Sequence, residues 1–80
     1  MYKSVTKVEP LENFELELVF ENSEHRIFDM KPYLETGIFS QLKDKNVFNS
    51  VYVSFDTIEW NNGADIDPEV LYEDSSAIGT

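Results

Sequence analysis

Residues 14–20 read Phe-Glu-Leu-Glu-Leu-Val-Phe, and this alternation limits the possible folds more than any other stretch of the chain. Successive side chains of a strand point to opposite faces, so Phe14, Leu16, Leu18 and Phe20 share one side while Glu15 and Glu17 share the other. A strand with one apolar and one charged face belongs to an antiparallel sheet that is covered on one side and wet on the other. Such a sheet needs more than two strands, because an isolated hairpin is marginal in water.

The neighbouring segments supply them. Residues 4–10 form a short β-like run, and Pro-Leu-Glu-Asn at 10–13 is a turn, since proline cannot donate to a ladder and asparagine favours bends. Residues 21–24 reverse the chain again. Residues 25–30 then read as a third strand with Arg26, Phe28 and Met30 on one face, and Phe28 and Met30 are expected in the core.

After Pro32 the period changes. Ile38, Phe39 and Leu42 recur at helical spacing beyond the pivot Gly37, which predicts a helix of about two turns, and Asp44 is placed to cap a further turn carrying Val47 and Phe48. Val51, Val53 and Phe55 then share a face of a fourth strand, Asp56-Thr57 is a candidate two-residue turn, and Ile58–Trp60 returns as the fifth strand. A second helix follows from Pro68. The expectation is an α+β domain, a small antiparallel sheet in the order βββ-α-ββ-α with two short helices. Residues 1–74 form that single domain, and 75–80 are expected to be a frayed, flexible tail.

Composition decides several exclusions. The 80 residues contain no cysteine, which removes disulfides, thiolate metal sites and cysteine nucleophiles and fits a reducing cytoplasm. No apolar run approaches the roughly 18–20 residues needed to span a bilayer, and the first ten residues lack the apolar core of a secretory signal, so a cytoplasmic location without membrane contact is expected. Residues 1–45 hold nine acids and six Lys/Arg, a net of −3, whereas 46–80 hold seven acids and no Lys/Arg, a net of −7. Direct contact with a nucleic-acid backbone needs a basic footprint, and the second half has none.

The densest chemistry lies in residues 60–76, Trp-Asn-Asn-Gly-Ala-Asp-Ile-Asp-Pro-Glu-Val-Leu-Tyr-Glu-Asp-Ser-Ser. Local geometry accounts for most of it. Asn62-Gly63 is a bend after the fifth strand, Asp67 is a helix N-cap, Pro68 suits the first helical position, and Glu69 meets the positive end of the helix. Asp65 is what that account explains least. Asp65, Asp67 and Glu69 at every second position invite a calcium reading, yet an EF-hand loop counted from Asp65 has Val70 where glycine is required and Ser76 where glutamate is required. Trp60 at a strand end suits either a core lid with its N–H bonded to a carbonyl, or an interface anchor.

Catalysis finds little support. His25 is the only histidine and is expected to be exposed in a hairpin. Ser23, His25 and Asp29 make a triad only on paper, with no nucleophile-elbow motif around the serine. No glycine-rich phosphate cradle occurs, and no cofactor is implied.

Val-Glu-Pro-Leu-Glu-Asn-Phe-Glu-Leu-Glu-Leu-Val-Phe, Arg-Ile-Phe-Asp-Met-Lys-Pro-Tyr-Leu, Gly-Ile-Phe-Ser-Gln-Leu-Lys-Asp and above all Ile-Glu-Trp-Asn-Asn-Gly-Ala-Asp-Ile-Asp-Pro-Glu-Val-Leu-Tyr together resemble the bacterial domain of unknown function 2442, over about residues 5 to 72. The most specific part is carried by Trp60, Asn62 to Pro68, Leu71 and Tyr72. One departure is Ser23, where members of the family commonly have glycine, which leaves the turn type open. The resemblance implies a small α+β domain with no established activity. It also implies an operon neighbour, a second small protein, in an arrangement that has prompted toxin–antitoxin-like proposals.

Charge and resemblance together point to a non-catalytic protein-interaction module, whose partner is another small, basic protein. Trp60, Asn62, Gly63, Asp65 and Asp67 form the candidate loop. A small-ligand or cation site in the same loop is the alternative, and homodimerisation through an exposed strand edge is a third.

Overall fold

The structure, a computed structural model, describes residues 3–78. Strand β1 (Val5–Pro10), β2 (Glu15–Phe20), β3 (His25–Asp29) and β6 (Ser76–Ala77) form a four-stranded antiparallel sheet in the order β1-β2-β3-β6. A separate hairpin pairs β4 (Tyr52–Ser54) with β5 (Thr57–Glu59). Between them lie two 3-10 segments, Lys31–Tyr33 and Gly37–Lys43, and the single-turn helix α1 (Lys45–Phe48). Helix α2 (Pro68–Glu73) follows β5. The α+β class is as the sequence predicts. Among the described residues no helix is long and apolar enough to cross a membrane.

The alternation in β2 sets the inside. Leu16, Leu18 and Phe20 are buried, and Phe28 and Met30 join them from β3 and its end. Every later segment adds to that face: Leu34 and Leu42, Phe48 from α1, Ile58 and Trp60 after the hairpin, Ala64 and Ile66, and Leu71 from α2. Hydrophobic burial thus binds sheet, hairpin and helices into one core.

Four expectations are corrected. The predicted two-turn helix at 38–43 is a 3-10 segment, with Ile38 44% exposed and only Leu42 buried. Phe14 does not extend β2. It sits in the preceding 3-10 turn at φ 58°, where its ring packs edge-on to Phe48 at 5.3 Å.

The third correction is the hairpin loop, which is Phe55-Asp56, because Ser54 pairs with Thr57. Phe55 therefore leaves the core face on which the period-two pattern places it, and it stands 97% exposed.

The fourth concerns the tail expected at 75–80. Ser75 is buried, and Ser76 and Ala77 pair with Ile27 and Arg26 of β3. The tether is Arg26, whose Nε donates to Ser75 Oγ and whose Nη2 donates to the Ser75 carbonyl, each at 2.6 Å. Gly79 and Thr80 lie outside the described residues.

Candidate functional site

Two turns of the molecule share one construction. In the first, Phe20 N–H donates to the Glu24 carbonyl, Ser23 N–H donates to the Phe20 carbonyl, and Asn22 Oδ1 accepts from Glu24 N–H. In the second, Trp60, Gly63, Asn62 and Ala64 repeat every one of these bonds. Each is a three-residue loop whose last residue is left-handed, Ser23 at φ 68° and Gly63 at φ 90°. Ser23 therefore holds the position that Gly63 fills in the second turn and carries the conformational cost of a Cβ at positive φ.

The second turn carries the candidate loop. Trp60 is fully buried, its Nε1–H donates to the Phe48 carbonyl at 3.0 Å, and its ring meets Phe39 edge-on at 6.3 Å. Of its two sequence readings, the core lid is the one realised, and a side chain with no exposed surface offers a partner nothing to touch. Asn62 holds the turn with Oδ1 and donates from Nδ2 to Gln41 Oε1 at 2.8 Å, tying the loop to the Gly37–Lys43 segment.

Beyond the turn, Ala64 and Ile66 are buried whereas Asp65 and Asp67 are exposed. This alternation explains Asp65. Residue 65 bridges to Glu59 as a further antiparallel rung beside β5, and Thr57 Oγ1 donates to the Ile66 carbonyl at 2.6 Å. The Ala-Asp-Ile-Asp pattern is a strand-like signal that the calcium reading obscured. Asp67 caps α2 as predicted, accepting from Glu69 N–H at 2.9 Å, with Pro68 in the first turn.

Among the described residues no group of three or more His, Asp or Glu side chains is arranged to hold a metal ion. Asp67 already accepts from the α2 backbone, and Glu69 lies in the first turn of that helix. The paper triad fares no better. His25 is exposed with Nδ1 3.7 Å from Glu17, while Asp29 is engaged by Lys31, whose Nζ lies 3.1 Å away.

Two features escaped the sequence. One is a polar clasp in which Glu24 accepts from Tyr72 Oη at 2.7 Å and from Arg26, whose guanidinium lies 4.4 Å from the centre of the Tyr72 ring. The hydrogen bond from Tyr72, then those from Asn22 and Arg26, hold the Glu24 carboxyl down at about 2, and the same carboxylate raises the Tyr72 hydroxyl. The spacing of 24, 26 and 72 gives no sign of this, because only the docking of α2 onto the β2–β3 hairpin joins them. The other is a cleft of about 330 Å³ on the β4–β5 hairpin, lined among others by Phe55, Asp56, Thr57, Glu59, Asp65 and Pro68.

Asp65, Asp67, Glu69 and Glu73 are exposed, and neither they nor Glu59 form an ion pair with any described residue. The basic side chains that do pair, Arg26, Lys31 and Lys43, are engaged by Glu24, Glu15, Asp29 and Glu35.

No curated protein and no solved structure is similar enough to this chain to count as a match. A family model does match, over residues 5–77, and these residues hold both sheets, both helices and the Trp60–Asp67 loop. The chain therefore belongs to the family described as protein of unknown function DUF2442.

Proposed function

We propose that this protein is a cytosolic, non-catalytic interaction domain whose acidic surface binds a small basic protein, as the neutralising half of a two-protein system. One observation carries the reading: the exposed carboxylates of residues 65–73 form no ion pair with any described residue. Such a surface raises the local concentration of a cationic partner and speeds its association, and salt weakens both effects. The loop at 60–67 contributes by holding Asp65 and Asp67 outward, while Trp60 and Asn62 keep it in place from inside.

A pull-down of the tagged protein from its native lysate at low and high salt tests this. The expected result is one basic protein in stoichiometric amount at low salt, lost at high salt. Recovery of the bait alone under both conditions would refute it.

A further inference from the structure

Phe55 is the residue that folding explains least. It stands at the tip of the β4–β5 hairpin with φ 56°, in a two-residue turn where glycine, asparagine or aspartate is the comfortable choice. It is 97% exposed, whereas the other exposed large apolar side chains, Ile38, Tyr52, Val70 and Ile78, range only from 37% to 46%. An L-aromatic held left-handed and bare of contacts costs the fold strain and returns no burial. Strain of this kind points to a use outside the fold.

The surroundings say what that use is. Opposite residues of an antiparallel pair share a face, so Tyr52 and Glu59 lie together on the outer side of the hairpin, and the Glu59–Asp65 bridge adds Asp65 beside them. Phe55 and Pro68 border the same cleft as Glu59 and Asp65, and among the described residues no Lys, Arg or His lines it. An aromatic face next to carboxylates complements one side chain above others. The arginine guanidinium stacks flat on a ring while its fork of N–H donors reaches carboxylate oxygens, and lysine, a compact ammonium, does only part of this. A second copy of this chain would bring its own carboxylates against these, which disfavours self-association through this face.

The geometry points to the β4–β5 cleft as the docking site for an arginine side chain of a partner protein, with Phe55 as the stacking anchor and Glu59 and Asp65 as acceptors. This rests on the reading of the protein as an acidic interaction domain and locates its specific contact.

The test titrates 15N-labelled protein with acetylated, amidated tetra-arginine at low salt, beside tetra-citrulline, the uncharged isostere. Expected are amide shifts centred on residues 54–59 and 65 with the arginine peptide and none with the citrulline peptide. Phe55→Ala should weaken binding by about tenfold, the scale of one cation–π contact, with the remaining amide spectrum native. Asp65→Asn, which keeps the aromatic, should weaken it as well. Shifts centred on Glu69 and Glu73, or affinity unchanged by Phe55→Ala, would overturn the cleft while leaving the acidic-domain reading intact. Shifts at 54–59 that grow with protein concentration without peptide would overturn it in favour of a second copy of the chain. Absence of arginine-dependent shifts anywhere would overturn both readings.

Discussion

Replacing Trp60 by phenylalanine separates a core lid from an interface anchor. The indole is wholly buried and its N–H bonds to the Phe48 carbonyl. Phenylalanine keeps a ring but removes that donor and two ring carbons. The lost hydrogen bond to a buried carbonyl costs about 1 kcal/mol. Two carbons of buried apolar surface cost about 0.8 kcal/mol each. The sum is about 2–3 kcal/mol, a large share of the roughly 4–12 kcal/mol that a domain of this size possesses. Urea unfolding read by far-UV circular dichroism is the suitable assay, because the substitution removes the only tryptophan. With a slope of about 1 kcal/mol per molar, the midpoint should fall by about 2 M or more. In a thermal scan, Tm should fall by roughly 10–20 °C. A midpoint within about 0.3 M of wild type would refute the reasoning, since it would mean that the indole neither fills the core nor satisfies Phe48.

Three further outcomes are expected. Asp67→Ala removes the α2 cap and should cost about 0.5–2 kcal/mol in the same urea assay, and no change would show the Glu69 N–H satisfied without it. Glu24→Gln tests the clasp through pH. Because the folded carboxyl is depressed to about 2 from an ordinary 4.5, its stabilisation is fully present above about 4.5 and is lost as pH falls toward 2. Wild type should thus exceed the variant in Tm at neutral pH, with the gap closing across that window, and a gap independent of pH would exclude ionic stabilisation. Phe55→Asn should raise stability by about 1 kcal/mol, since asparagine tolerates the left-handed turn and the phenylalanine has no packing to lose, and a lower Tm would show that the ring is not bare.

Much of this molecule follows from sequence alone. The alternation at 15–20 determined the inside face of the sheet, because period two leaves a strand only one way to bury Leu16, Leu18 and Phe20. Asp44, Asp67 and Pro68 determined where their helices start, since a side-chain acceptor and a missing N–H act within one turn of backbone. The charge asymmetry of the two halves was equally plain.

The tertiary structure decided what depends on partners distant in the chain. Whether Trp60 faced core or solvent turned on the Phe48 carbonyl, twelve residues away and brought close only by packing. Ser76–Ala77 read as tail because two residues show no strand period, and it took the Arg26 guanidinium, bonded to Ser75 forty-nine positions later, to hold the segment to β3. Phe55 lost its place in the core by a shift of a single residue in a hairpin loop that no glycine or asparagine marks. Val51 and Val53 keep the core side that the pattern gives them, and only the pairing of Ser54 with Thr57 decides that Phe55 falls in the loop instead of on the strand.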